Sequence, residues 1–175
     1  MMTEMTLIAN SGAAIPTEPF VGRHLIAGMW RESLDGAEFE RVSPSHGVLV
    51  SRSALGSAAD AEAAILAARA AFDAGIWSRI SGRERATVLL RVADLIEANV
   101  ERMALLETLE SGKPISQSRG EVSGAADLWR YAASLARTMH GDSHNSLGED
   151  MLAVVLKEPI GVVSIITPWN FPFWI

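Results

Sequence analysis

The residues best suited to chemistry form one short segment, Thr167-Pro168-Trp169-Asn170-Phe171-Pro172. Two prolines restrict the backbone around Asn170, so its carboxamide is expected to stand on a stiff loop. A rigidly held amide N–H is a neutral donor that can stabilise a developing oxyanion. The same spacing also suits Asn170 in an ordinary turn, with Trp169 and Phe171 in the core. The segment taken alone leaves both interpretations open.

The run that precedes this segment has the character of a buried strand. Residues 160–167 are rich in Val and Ile and lack alternation, which is typical of a strand covered on both faces in a parallel sheet. Ligands of open α/β sheets bind beyond the carboxyl ends of such strands, where this segment lies. A parallel strand needs a partner strand and a covering helix, and the sequence stops at Ile175. We therefore expect the chain to be part of a longer protein.

The elements that must position the segment are predicted from turn formers, caps and periodicity. Short strands are expected at 24–30 around a glycine turn, and at 39–42 and 48–50 around the turn 43–47. Four helices follow. Their predicted extents are from Ser57 to Gly75, from Ser81 through Ile96, from Asn99 to Ser111, and from 115 to 139.

The third helix contains charged residues that could suggest a site. Glu107 and Glu110 could pair as acid and base, but two carboxylates on one helix are more typical of a solvated face. Ser111-Gly112-Lys113 has a faint likeness to a phosphate loop. Glu107 occupies the place of that motif's first glycine, so the sequence favours a helix C-cap at Gly112.

Composition narrows the class of protein. The 175 residues are 49% apolar and 21% charged, which is ordinary for a globular protein. The net charge of −6 argues against a nucleic-acid partner, and no apolar run is long enough to span a membrane. There is no cysteine, so this chain supplies no disulfide and no catalytic thiol. The N-terminus lacks the pattern of a secretory signal, and we expect a cytoplasmic protein.

Longer motifs identify the family. The stretch from Glu158-Pro159-Ile160-Gly161 through Pro172 closely resembles the aldehyde dehydrogenase superfamily. Residues 105–114, Leu-Leu-Glu-Thr-Leu-Glu-Ser-Gly-Lys-Pro, are very similar to a signature of the same family. Residues 72–78, residues 83–96 and His140-Gly141-Asp142 also fit, in the family's order. The resemblance runs from about residue 20 to Ile175.

This resemblance implies an α/β fold, namely an incomplete N-terminal part of the aldehyde dehydrogenase fold. That part comprises short strands, a helical layer and the start of a Rossmann-like parallel sheet. Four regions are expected. They are an N-terminal arm (1–19), the N-terminal part of the NAD-binding domain (20–139), an oligomerisation hairpin segment (140–158), and a first core strand with the Pro-Trp-Asn-Phe-Pro loop (159–175).

The resemblance also assigns roles to individual positions. Asn170 aligns with the oxyanion-hole asparagine, and Phe171 aligns with a wall of the substrate tunnel. Glu110 stands where many members have an aspartate near a monovalent cation site, and it keeps the charge on a side chain one methylene longer. The segment that contacts NAD or NADP aligns with Ile166, Thr167, Pro168 and Trp169.

The implied activity is the NAD(P)-dependent oxidation of an aldehyde to a carboxylic acid through a thiohemiacetal and a thioester. The family's cysteine nucleophile, its glutamate base and its nucleotide-binding turn lie beyond Ile175, so we expect this chain to be inactive alone. The implied partners are an aldehyde and further copies of the subunit, as a dimer or tetramer. The alternative is an inactive truncated subunit that acts only by associating with a full-length homologue.

Overall fold

The computed structural model describes residues 5–7 and 14–175. Strand β1 (Met5–Leu7) pairs antiparallel with β2 (Ala14–Pro16). The expected N-terminal arm, 1–19, includes residues 1–4 and 8–13, which lie outside the described residues. The described part of that arm is therefore a pair of short strands.

Five further strands precede the helices, and the turn formers predict the last four of them. They are β3 (Phe20–Gly22), β4 (His24–Ile26), β5 (Met29–Arg31), β6 (Glu38–Val42) and β7 (Leu49–Ala54). β7 is the centre of a small mixed sheet, parallel to β3 and antiparallel to β6. β4 and β5 form a hairpin whose turn places Ala27 and Gly28 at positive φ, 52° and 77°. Such a two-residue turn matches the twist of a tight hairpin.

The four predicted helices are confirmed as α1 (Ala58–Ala74), α2 (Gly82–Ala98), α3 (Val100–Ser111) and α4 (Ile115–Thr138). Ser57 and Ser81 begin α1 and α2 with complete capping boxes, which satisfy backbone N–H groups that a helix start leaves unpaired. Gly75 and Gly112 end α1 and α3 in the left-handed conformation, at φ 72° and 80°. Gly112 is thus a helix cap, as the sequence favours.

Helix α3 lies between two apolar clusters and joins them. On one side Ala104 packs with Ile96 of α2 and with Val122 and Ala126 of α4. On the other side Leu109 packs with Val50 of the sheet. Because α3 is buried on both sides, the turn after it is held at a fixed place between the sheet and α4.

The apolar faces predicted for α2 and α4 are only partly buried. Ile96 and Val122 are buried, but Val88, Leu95, Leu128 and Leu135 are each 44–48% exposed. The buried contacts of α2 are made instead by small residues, Ala86 and Ala93. No described part of the chain covers the larger side chains, which form exposed apolar surface.

Residues 139–175, which follow α4, contain little regular structure. Strands β8 (Ser143–His144) and β9 (Ala153–Val154) form a short antiparallel pair within the expected hairpin, 140–158. The expected strand at 160–167 is wrong for this structure, because those residues are in neither helix nor strand. Ile160 and Ile166 are more than 90% exposed. A strand requires a neighbour for its backbone groups, and no described segment pairs with this one.

Among the helices of residues 5–7 and 14–175, none combines the length and the apolar character needed to cross a bilayer.

Asp60 ties α1 to the loop after β5. Its carboxylate accepts hydrogen bonds from four neutral donors, namely the Ser57 hydroxyl and N–H, the Ser33 hydroxyl and the Leu34 N–H, at 2.7–3.0 Å. The hydrogen bonds from Ser57, followed by those from Ser33 and Leu34, hold the pKa of Asp60 far below its usual range, although burial opposes this. The ionised form is therefore the one that attaches α1.

The lowered pKa of Asp60 predicts an acid-dependent loss of stability. Its contribution is present above the ordinary carboxyl pKa of about 4 and is lost as the pH falls through the lowered value. We expect Asp60→Asn to lower the free energy of unfolding at pH 7 and to flatten its decline below about pH 4. Urea titrations at pH values from 7 to 2.5 measure the free energy of unfolding and its decline as the pH falls. Asp127→Asn, at an exposed carboxylate with no recorded hydrogen bond, is the control. An unchanged slope in Asp60→Asn contradicts the prediction.

Close contact between α2 and α4 makes Gly82 sensitive to substitution. A Cβ at Gly82 would lie 2.2 Å from the carbonyl oxygen of Ala136, which belongs to the backbone of α4. We expect Gly82→Ala to force the helices apart and to cost about 1–3 kcal/mol. A Cβ at Gly120 of α4 meets nothing within 4 Å, so Gly120→Ala should raise stability by about 0.5–1 kcal/mol. Urea unfolding followed by circular dichroism measures the free energy of unfolding of both variants. Equal effects of the two substitutions would contradict the prediction.

Candidate functional site

Asn170 lies in a turn that packs against the helical layer. Asn170 and Phe171 are half-buried. The Phe171 ring meets Trp174 edge-on, with centroids 6.4 Å apart, and the Ile175 N–H donates to the Phe171 carbonyl at 3.2 Å. Trp174 lies against α4, where a Cβ at Gly124 would be 3.4–3.6 Å from its ring. We call residues 169–174 the Asn170 turn. It is the ordered end of an otherwise exposed segment.

A buried lysine anchors this turn. The Nζ of Lys113 donates to Glu107 Oε1 of α3 at 2.6 Å and to Glu121 Oε2 of α4 at 2.5 Å. It also donates to the backbone carbonyl oxygen of Asn170 at 2.5 Å. The ammonium lies 5.1 Å from the centroid of the Phe171 ring. We call Glu107, Lys113 and Glu121 the buried triad.

The triad is almost fully removed from water. The side chains of Lys113, Glu107 and Glu121 are 10%, 6% and 4% exposed. Burial raises the pKa of Glu107, and Lys113 only partly opposes this. Burial also opposes ionisation of Glu121, but hydrogen bonds from Lys113 and Gln117 outweigh it and lower that pKa. Glu107 therefore takes up a proton more readily than Glu121 does.

Lys113 itself stays protonated. Burial works against its charge, but the hydrogen bonds to Glu107 and Glu121 outweigh burial and raise its pKa. An ammonium with a raised pKa and three acceptors is a structural cation rather than a general base. The triad therefore holds the Asn170 turn.

The Asn170 carboxamide is left available. The structure records no hydrogen bond from this side chain to any described residue, while its own backbone carbonyl is held by Lys113. This arrangement fixes the backbone and leaves the amide donors for a ligand, which is what an oxyanion-stabilising group requires.

The predicted nucleotide-binding residues are all exposed, and Ile166 and Trp169 are 91% and 79% exposed. A dinucleotide site also needs a glycine-rich turn at a helix N-terminus for the pyrophosphate. The described residues next to this segment contain no such turn. The residues present therefore fit only one edge of a nucleotide site. This is the predicted edge, which consists of Ile166, Thr167, Pro168 and Trp169.

Glu110 lies on the exposed side of α3, facing the small sheet. The hydroxyl of Ser51 on β7 donates to its carboxylate. Within the described ranges, 5–7 and 14–175, no cluster of three or more metal-binding side chains forms. The predicted cation role of Glu110 therefore stays a prediction.

A cavity of about 540 Å³ lies elsewhere, between the start of α2, the end of α4 and the hairpin segment. Its lining includes the cationic residues Arg85, Arg137 and Lys157. None of the predicted site residues lines this cavity.

Comparison with known proteins decides the family. The model of the aldehyde dehydrogenase family matches residues 30–175. The chain belongs to this family. Aldehyde dehydrogenase family 2 member B4, a mitochondrial protein of Arabidopsis thaliana, is 43% identical over 149 residues, which are 85% of this chain and 28% of the relative. This confirms the family predicted from the two long motifs.

Solved structures of aldehyde dehydrogenases share the fold. The NAD-dependent aldehyde dehydrogenase of Sinorhizobium meliloti superposes with a TM-score of 0.86 at 50% identity, over 90% of this chain and 32% of that one. A variant of the P. syringae indole-3-acetaldehyde dehydrogenase, solved with NAD+ and IAA, gives a TM-score of 0.85 at 38% identity, over 90% and 32%. The chain thus spans about a third of the length of the aldehyde dehydrogenases it matches. Its mixed α/β fold is the N-terminal part of theirs.

Sequence reasoning missed the buried triad. Glu107 was expected on a solvated face, and this expectation is wrong because α3 is buried on two sides. A partial signal is present, since Glu107 stands between Leu106 and the buried pair Thr108 and Leu109. No local pattern indicates that Lys113 turns inward, because its acceptors lie on three separate elements, and the Asn170 carbonyl is 57 residues away.

The triad predicts different reactivity for the two lysines of this aldehyde dehydrogenase chain, Lys113 and Lys157. Lys157 is exposed, whereas the Lys113 ammonium is buried and fully bonded. We expect an amine-acylating reagent at neutral pH to modify Lys157 at least tenfold faster, because only the free and accessible amine reacts. Mass spectrometry of the digested chain measures both sites. Equal rates in the folded chain contradict the triad, and equal rates in urea are the required control.

Proposed function

We propose that this chain is the N-terminal part of an NAD(P)-dependent aldehyde dehydrogenase that oxidises an aldehyde to a carboxylic acid through a thiohemiacetal and a thioester. The main supporting observation is the Asn170 carboxamide, which has free donors on a turn that Lys113 anchors. The family membership of residues 30–175 supports the same proposal.

In this proposal Asn170 acts when a cysteine from the rest of the enzyme attacks the aldehyde carbonyl. The attack moves negative charge onto the carbonyl oxygen, and the Asn170 amide donates a hydrogen bond to it. The half-buried ring of Phe171 forms part of the tunnel wall and helps to exclude water from the reacting carbon. Both residues lie on one short turn, so the donor and the wall move together.

The proposed cofactor is NAD or NADP, which accepts a hydride from the substrate when it is bound. Ile166, Thr167, Pro168 and Trp169 would form one edge of its site. The exposed indole of Trp169 and the unpaired backbone groups of this segment are available for that contact. Glu110 is proposed to lie near a monovalent cation, as a carboxylate on the outer side of α3.

The hairpin segment, 140–158, is proposed to mediate subunit association, which gives a homo-oligomer. Its strands are two residues each, and Val154 and Leu156 are 61% and 76% exposed. Exposed apolar side chains next to a strand edge favour pairing with another chain. A second candidate function follows from the same surface, namely a truncated subunit that acts only by binding a full-length homologue. The cytoplasmic location stays a prediction.

Substitution of Asn170 tests the catalytic proposal. In the full-length enzyme that contains this sequence, we expect Asn170→Ala to lower kcat/KM about 10²–10³-fold, because one oxyanion donor is lost. Steady-state production of the reduced nucleotide, with an aldehyde in excess, measures the effect. Ser123→Ala, at an exposed site on α4 outside the hairpin segment, is the control. Wild-type kcat/KM in Asn170→Ala would disprove the role of Asn170.

The mass of the native protein separates the two candidate functions. An antibody raised against residues 57–114 should capture a polypeptide much heavier than 18.8 kDa that oxidises aldehydes with NAD or NADP. A stable 18.8 kDa species without activity, bound to a full-length homologue, would instead support the associating subunit.

A further inference from the structure

The Lys113 ammonium has no hydrogen-bonding capacity left over. A lysine has three N–H donors, and the three acceptors here are Glu107 Oε1, Glu121 Oε2 and the Asn170 carbonyl oxygen. Two of these acceptors are carboxylates on α3 and α4, which are themselves buried and packed together. The third acceptor is the backbone of the Asn170 turn. The ammonium therefore fixes the position of one peptide group relative to helices α3 and α4.

That peptide group controls the direction of the Asn170 side chain. The carbonyl that Lys113 holds belongs to the planar peptide between Asn170 and Phe171. Its fixed plane restricts the torsion that follows the Cα of Asn170. Pro168 and Pro172 restrict the backbone on either side, because proline fixes its own φ and limits the residue before it. The carboxamide then turns only about the side-chain torsions of Asn170, from a backbone that is held in place.

The segment before the Asn170 turn gives the turn no support within this chain. Residues 160–167 make no helix or strand and are largely exposed. The described contacts that join the turn to the helical layer are the Lys113 bond, the position of Phe171 beside the same ammonium, and Trp174 against Gly124. Of these, the Lys113 bond is the one that acts on Asn170 itself.

We propose that Lys113, held by Glu107 and Glu121, is a positioning residue that orients the Asn170 carboxamide toward the oxyanion. This inference rests on the proposed function of Asn170. The competing explanation is that the triad only ties α3 to α4. A tie of that kind affects stability but leaves the kcat of the folded enzyme unchanged, whereas a positioning role lowers kcat and acts through Asn170.

A double-mutant cycle in the full-length enzyme distinguishes these roles. We expect Lys113→Met to lower kcat at least tenfold with less than a threefold change in the KM for the aldehyde. In the Asn170→Ala background the same substitution should cost nothing further, because the donor that it positions is already gone. Arg102→Met, at an exposed cationic residue of α3 outside the triad, should leave kcat unchanged. Wild-type kcat in folded Lys113→Met, or two losses that multiply, would overturn the inference.

A second variant covers the case in which Lys113→Met fails to fold. Removal of one member of a buried ion group leaves an uncompensated charge, but replacement of all members by apolar residues is often neutral or stabilising. The combined variant Glu107→Met, Lys113→Met and Glu121→Met should therefore fold and still show the loss of kcat. Wild-type kcat in this folded variant also overturns the inference.

A readout without activity separates failure of this inference from failure of the proposed function. Asn170–Phe171 is the single Asn–Phe pair in the sequence, so ¹³C-carbonyl asparagine with ¹⁵N-phenylalanine selects one peptide signal in the 175-residue chain. We expect its carbonyl resonance to move upfield in the triple variant, because the hydrogen bond from Lys113 to that carbonyl is lost, and to stay in place in Arg102→Met. An unmoved resonance in the triple variant rejects the hydrogen bond from Lys113 to the Asn170 carbonyl, and with it the inference. A moved resonance together with wild-type kcat/KM in Asn170→Ala rejects only the proposed function.

Discussion

Burial of a single ammonium group determines how this chain presents Asn170. A charge that is removed from water must find partners for its donors, since the desolvation cost is otherwise several kcal/mol. Lys113 meets this requirement with one carboxylate from each of two helices and one backbone carbonyl from the Asn170 turn. Because all three are needed, the helices, the C-cap at Gly112 and the turn have to be in place together. The polar centre therefore couples parts of the chain that are far apart in sequence.

The elements around this centre differ in how completely other parts of the chain cover their apolar side chains and pair their backbone groups. Helix α3 has packing partners on both sides, from Val50 of the sheet to Val122 of α4. Helix α2 and the stretch 160–167 present large apolar side chains outward, and the backbone groups of that stretch have no described partner. This agrees with a chain that spans about a third of the length of the aldehyde dehydrogenases it matches. The Asn170 turn follows the exposed stretch 160–167 and packs against the helical layer that contains α3.

The helix limits could be predicted from the sequence because they depend on interactions between residues that are close together in the chain. Serine capping boxes and left-handed glycines fixed the helix limits, because these residues satisfy backbone groups within one turn. The strand predicted at 160–167 does not form in this structure, since a strand exists only where another segment pairs with it. Asn170 was found through its family motif, whereas the spacing alone left it undecided. Lys113 was missed because its contacts depend on how α4 and the distant Asn170 turn pack against the end of α3.

The two kinds of polar contact that hold the helices should respond differently to dissolved salt. The pairs Arg119–Glu101 and Arg130–Glu97 join α4 to α3 and α2 at the surface, where ions at about 1 M screen charges beyond roughly 3 Å. Asp60 instead receives its hydrogen bonds from hydroxyl and backbone N–H groups, which carry no net charge to be screened. As the ionic strength rises, the surface pairs weaken first. The attachment of α1 through Asp60 and the enclosed contacts of Lys113 then account for more of the cohesion that remains.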